Sequence, residues 1–181
     1  ILDTTWNPVK VNPNGTLEQR GMDMNHPIFI AGIGVMIKFI LKRLQEEFYA
    51  VVPSEIGIKE PFKVEGDTIY IPPYSFVRNE LQKLSAYNGF ESDFIYDYCK
   101  RFLRLAESCM LKDRIKLIKP FKEMLNNRKT VSDEILDYAR KKGFKKGERI
   151  SNNLAGNIAL LHSSRILDEI VRTRKLIEDL I

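Results

Sequence analysis

Cysteine is nearly absent from this 181-residue chain: Cys99 and Cys109 are the only two, ten residues apart and outside any CxxC spacing. That excludes a disulfide framework and a cysteine-based zinc site, and it makes a reducing, cytoplasmic setting the expectation. Long apolar runs are missing too. The longest, Ile28 to Ile37, has ten residues before Lys38 interrupts it, short of the ~20 that cross a bilayer. The N-terminus has no basic segment followed by an apolar core, so no signal peptide is expected. A GxSxG nucleophile elbow is absent as well, which removes the usual setting for a Ser-His-Asp hydrolase. Gly32 and Gly34 form a GxG with no third glycine and no strand leading into it, so a packed helix is expected there rather than a nucleotide loop.

What is present is enough for one domain. Apolar residues make up 44% of the chain, ample for a core at this length. The chain opens on Ile1 rather than Met, which suggests a piece of something longer. The net charge of +5 is concentrated in one place: residues 140–149, "RKKGFKKGER", set six basic side chains against Glu148, while the remaining residues balance 23 basic groups with 23 acidic ones. This loop supports an alternative reading as a non-catalytic assembly or binding module that contacts nucleic acid or an acidic partner. Phe144 is its only aromatic residue, so no platform for stacking bases is expected. Lysines at the end of a helix also have a structural reason to be there.

Periodicity places the elements. "WNPVKVNPNG" reads as a strand running into a turn, and "TLEQRGM" as the next strand. A helix begins at Asn25-His26-Pro27, with proline in the first turn, and runs to about Phe48; its first half is apolar on nearly every side and is expected to be buried. "FKVEGDTIYI" reads as a hairpin within 62–71, around Glu65-Gly66-Asp67. A helix from Tyr74 to Asn88 should stop at Gly89. Ser92 opens another, with Ile95, Tyr98, Phe102, Leu105 and Cys109 as a core stripe. Leu111 to Leu125 reads as a helix disturbed at Pro120. Thr130 caps a helix that Gly143 ends. Ser151 starts the last helix, whose Leu154, Ile158, Leu161, Ile166, Ile170 and Ile177 are expected to face the core. Strands first and helices after argue for an α+β fold over a parallel α/β one. The expected organisation is strands over residues 1–27 and a mainly helical part, 28–181, within one domain.

The motif with the most chemical content is "GTLEQRGMD", residues 15–23. On a strand Glu18 and Arg20 share a face, with Thr16 and Met22 nearby. An exposed ion pair would be the plain explanation, worth ~0–1 kcal/mol. The chemical one uses both groups. A carboxylate is the hard oxygen ligand Mg²⁺ prefers, and a guanidinium is a planar donor for phosphate oxygens. Side by side they could hold a metal-bound triphosphate from two directions. His26 is expected to be a helix-start residue, and His162 a core or boundary residue on the last helix.

"WNPVKVNPNGTLEQRGMDMN" resembles the strand pair near the start of the C-terminal half of the glutamate-cysteine ligase and carboxylate-amine ligase family. In that family a Trp lies nine residues before the Gly of a GT(L/I)E(V/F)R segment, followed by an Asp and, in several members, an Asn-Pro. This chain has Trp6, Gly15, Thr16, Leu17, Glu18, Arg20, Asp23, Asn25 and Pro27. It departs from the pattern after the Trp, where Asn7 and Val9 stand in place of an acid and a base and Lys10 is one position beyond. "RNELQKLSAYNGF", opening on Arg78, is similar to an Arg- and Gly-containing helix segment of the family.

The resemblance implies a partial glutamine-synthetase-like sheet, ATP and Mg²⁺ as cofactors, Glu18 as a metal ligand, Arg20 as a catalytic phosphate contact, and Arg78 as a further nucleotide contact. The implied reaction joins an amino-acid carboxylate to an amine, as in glutathione biosynthesis. The family's other metal ligands and much of its glutamate pocket precede this segment. The 181 residues alone are therefore expected to be inactive without the N-terminal portion of the same protein. No membrane partner is expected, and nucleic acid is the weaker alternative.

Overall fold

A computed structural model describes residues 9–11, 13, 17–19, 25–47, 49–145 and 147–179. Its first elements are two short strands, β1 (Val9–Val11) and β2 (Leu17–Gln19), paired antiparallel. The helix α1 (Pro27–Glu46) follows. Its start is set locally: the Asn25 Oδ1 accepts from the His26 main-chain N–H at 2.7 Å, and Pro27 occupies the first turn, where a missing N–H costs nothing.

A three-stranded mixed sheet comes next. It contains β3 (Ala50–Pro53), β4 (Lys63–Glu65) and β5 (Thr68–Ile71), in the order β3-β5-β4, with the short helix α2 (Glu55–Lys59) between β3 and β4. β4 and β5 are the expected hairpin, antiparallel with Glu65 opposite Thr68. Gly66 turns it at φ +58°, a left-handed conformation that favours glycine. β3 and α2 were not expected from the sequence, and β3 pairs parallel to β5. Strands and helices are therefore less cleanly separated than the α+β reading assumed. All four β3 residues are exposed, so the strand lacks the alternation that would announce it.

The remainder is helical. α3 (Tyr74–Phe76), a π-helical turn (Val77–Leu81) and α4 (Gln82–Asn88) run on without interruption and end at Gly89. A 3₁₀ turn (Gly89–Glu91) leads into α5 (Asp93–Cys109), capped by the Ser92 hydroxyl, which accepts from the Ile95 N–H. A second 3₁₀ stretch (Lys112–Ile118) precedes α6 (Lys119–Asn127). Pro120 thus starts a helix instead of disturbing one, because its ring is tolerated only in a first turn. α7 (Val131–Lys141) and α8 (Asn152–Glu178) complete the chain.

α1 packs against α5, the 112–118 turn, α6 and α8. The core gathers Met36, Leu81, Phe90, Ile95, Leu103, Ala106, Met110, Ile118 and Leu125. Two burial expectations need correction. Along α1 only Gly32 and Met36 are buried, while Ile30 and Gly34 are exposed. One side of this helix has partners and the other has fewer. Gly32 does serve close packing: a Cβ there would lie 2.7 Å from the Leu117 carbonyl oxygen, whereas one at Gly34 would meet nothing. On α8, Leu154, Ile158 and Ile166 are half-buried, but Leu161, Ile170 and Ile177 are exposed. The inward stripe of α8 runs through Leu154, Ile158, His162, Ile166, Glu169 and Thr173, so polar residues share it with half of the expected aliphatic ones.

Thr130 caps α7 as expected, through a reciprocal capping box. Its hydroxyl accepts from the Asp133 N–H at 3.3 Å, and the Asp133 carboxylate accepts from the Thr130 N–H at 2.7 Å. Thr130→Ala removes one half of that exchange and is expected to destabilise the protein by about 1 kcal/mol. At this chain length that is a fall in Tm of about 2–4 °C, measurable by circular-dichroism melting.

Candidate functional site

The strand pair that carries the motif is present. β1 and β2 are antiparallel with Val9 opposite Gln19, Lys10 opposite Glu18 and Val11 opposite Leu17. Glu18 is the middle residue of β2. Its cross-strand position belongs to Lys10, the basic residue that sequence spacing had put one place beyond the family's pattern. Arg20 lies outside the described residues, as do Trp6, Gly15, Thr16, Met22 and Asp23. Arg78 is exposed on the π-helical turn, and its Nη1 is 3.3 Å from the Tyr74 hydroxyl.

A single carboxylate position with the remaining coordination left to phosphate and water matches the way Mg²⁺ is commonly bound at nucleotide sites. Among the described residues no group of three or more His, Cys, Asp or Glu is arranged to hold a metal ion.

The structure also brings together two residues that the sequence reading kept apart. His26, at the N-terminal cap of α1, is buried, and its Nε2 lies 3.2 Å from Nδ1 of His162 on α8. On the other side of the ring, His26 Nδ1 is 2.9 Å from Glu169 Oε2. Neither of these last two atoms has a well-aligned hydrogen-bond partner, and both are shielded from solvent, so the 2.9 Å contact between them is what meets their polarity. His26 did prove to be a helix-start residue and His162 a half-buried one.

Their contact across 136 residues leaves little trace in the sequence. The available signal is the seven-residue spacing of His162 and Glu169, two turns of one helix face. Burial is the main cause that holds the His162 pKa below its ordinary value, with the neighbouring His26 and Arg165 acting the same way and Glu134 and Glu169 opposing them. His26 and Glu169 open onto a cavity of about 560 Å³, also lined by Glu123, Lys129, Glu134 and Arg165. Arg165 Nη1 sits 3.3 Å from Glu134 Oε2, and Lys129 Nζ is 2.6 Å from Asp137 Oδ2.

Neither cysteine is disulfide-bonded. Burial pushes the Cys99 thiol up to about 11, so it holds its proton at neutral pH and is a poor nucleophile. In the basic loop Phe144 is half-buried, which covers part of its one aromatic ring. Lys142 lies 5.8 Å from the Tyr138 ring centroid, and the Lys145 N–H donates to the Glu148 carboxylate at 3.2 Å. Lys146 is outside the described residues. Arg140 and Lys141 lie in the last turn of α7, where they complement the helix dipole. Among the described residues no helix is long and apolar enough to cross a membrane. No protein-family model, curated protein or solved structure matches the chain.

Proposed function

We propose that this chain is the C-terminal portion of an ATP- and Mg²⁺-dependent carboxylate-amine ligase similar to glutamate-cysteine ligase. One observation carries the reading: the segment that resembles the family's strand pair is an antiparallel pair, with Glu18 at the middle of its second strand and Lys10 opposite. On a regular ladder, opposed positions share a face. A carboxylate and a cation there suit a metal-bound polyphosphate, to which Arg20 and Arg78 add further positive charge. In this reading β1 and β2 belong to a glutamine-synthetase-like sheet completed by upstream strands, which also supply the remaining metal ligands and the amino-acid pocket.

The reaction follows from the poor reactivity of a carboxylate toward amines. One carboxylate oxygen attacks the γ-phosphorus of ATP, the bond to the β–γ bridging oxygen breaks, and ADP leaves. The amine nitrogen then attacks the acyl phosphate carbon, loses a proton, and expels inorganic phosphate. Mg²⁺, when bound, neutralises the charge on the transferring phosphoryl group. Glu18 would hold that ion, and Arg20 would stabilise the equatorial oxygens of the phosphoryl group.

An isotope experiment follows directly. The protein expressed from its complete reading frame is incubated with Mg-ATP, an amine, and glutamate labelled with ¹⁸O in its γ-carboxylate. One labelled oxygen is expected to appear in the released inorganic phosphate for each amide formed. Phosphate without label, or ATP cleavage that ignores the acid and the amine, would reject the acyl-phosphate route.

A further inference from the structure

The two histidines of the chain, His26 and His162, make a continuous polar chain with Glu169 between the start of α1 and the inner face of α8. We propose that this Glu169–His26–His162 chain is a pH-dependent clasp, which holds the first turn of α1 against α8 at neutral pH and releases it in mild acid. The proposal stands apart from the ligase reading, since it uses no residue assigned to nucleotide or metal.

Hydrogen-bond direction gives the clasp its limit. With both rings neutral, the protonated His26 Nδ1 faces the Glu169 carboxylate at 2.9 Å without a well-aligned hydrogen bond, and Nε2 accepts from His162 Nδ1–H. A first proton is accommodated. If His26 carries it, Nε2–H donates instead to the Nδ1 lone pair of the other tautomer of His162, and the imidazolium sits beside a carboxylate. A second proton is not accommodated. Both nitrogens across the 3.2 Å contact would then bear hydrogens, with no acceptor between two cations.

The surroundings act in both directions. Arg165, on α8 itself, opposes charging of His162, while Glu169 on α8 and Glu134 on α7 favour it. Glu123 on α6 and Lys129, which precedes α7, line the same cavity as His26. Lys129 is occupied by Asp137, and Arg165 is within ion-pair distance of Glu134. For His162 burial is the largest influence, followed by His26, Arg165, Glu134 and Glu169 in that order. For His162, a base held below its ordinary pKa when folded, the unfolded or released state binds more protons. Stability from the clasp is full above the ordinary histidine range and declines as pH falls through the folded value.

Hydrogen exchange tests this at the point of attachment. The Phe29 and Ile30 amides, both bonded to the His26 carbonyl, report the first turn of α1. Their protection, corrected for the intrinsic pH dependence of exchange, is expected to fall several-fold between pH 7.5 and 5.5. In His162→Gln the side-chain amide can donate to His26 Nε2 and takes up no proton, so the fall should be less than about twofold. Unchanged protection in the unmodified protein, or an equal loss in His162→Gln, overturns the clasp. Proton NMR of the two imidazoles gives a readout that needs no variant. Two interacting ionisations are expected, with the second coinciding with loss of amide protection; two independent curves at ordinary values would reject the proposal.

Discussion

Replacing Ile118 by alanine is expected to destabilise the protein by about 2–5 kcal/mol, the range for truncating a fully enclosed aliphatic side chain. Among the described residues Ile118 is the one large side chain with essentially no exposure. It closes the 3₁₀ stretch 112–118 and stands immediately before the first turn of α6. Its surroundings have limited freedom to collapse into the space left behind. Pro120 fixes the chain direction two residues later, and Gly32 already brings α1 within contact distance of the Leu117 carbonyl and the Phe121 ring. The lost transfer free energy is therefore joined by the cost of a cavity that persists. Ile118→Val removes one methylene and should cost about 0.5–1.5 kcal/mol. Urea unfolding monitored by circular dichroism separates the two variants. A loss below about 1 kcal/mol for the alanine variant would mean that the junction of α1, α6 and the 3₁₀ stretch repacks freely.

The same junction shows how far the sequence could be read. Capping residues are local signals, and they were legible: Ser92, Thr130 and Ser151 each accept an amide N–H at the start of α5, α7 and α8. The β4–β5 hairpin was legible because Gly66 supplies the left-handed turn its two arms require. β3 was not, since an exposed edge strand paired only with β5 needs no alternating pattern. α8 was misread for a related reason. Its aliphatic residues outnumber the places available on its inner face, and tertiary packing gave two of those places to Glu169 and Thr173 beside the expected His162. A helix face chosen by its partners cannot be inferred from hydrophobicity alone when apolar residues occur all round. Within the candidate site, the strand pair and the position of Glu18 followed from turn chemistry and motif. The contact of His26 with His162 depends on long-range packing, and the seven-residue spacing of His162 and Glu169 is its one trace in the sequence.

Glu18→Gln in the protein expressed from its complete reading frame is expected to lower kcat for amide formation by at least about a hundredfold, the scale on which removal of one charge-stabilising group acts at a reacting centre. The substitution keeps side-chain length and the main-chain ladder to β1, in which position 18 is opposed by Lys10, so the strand pair should persist and Tm should change little. What changes is the ligand. A neutral amide oxygen is a weaker donor to Mg²⁺ than a carboxylate, so occupancy of the ion falls and part of the activity should return as Mg²⁺ is raised. That recovery separates a metal ligand from a surface ion pair. If Glu18 did no more than pair with Lys10, its loss would cost about 0–1 kcal/mol of stability, with kcat unaltered and no response to added Mg²⁺. Steady-state ADP release over a range of Mg²⁺ concentrations, with acid and amine saturating, distinguishes the two. Undiminished turnover in the variant would take away the ligand role on which the proposed nucleotide site depends.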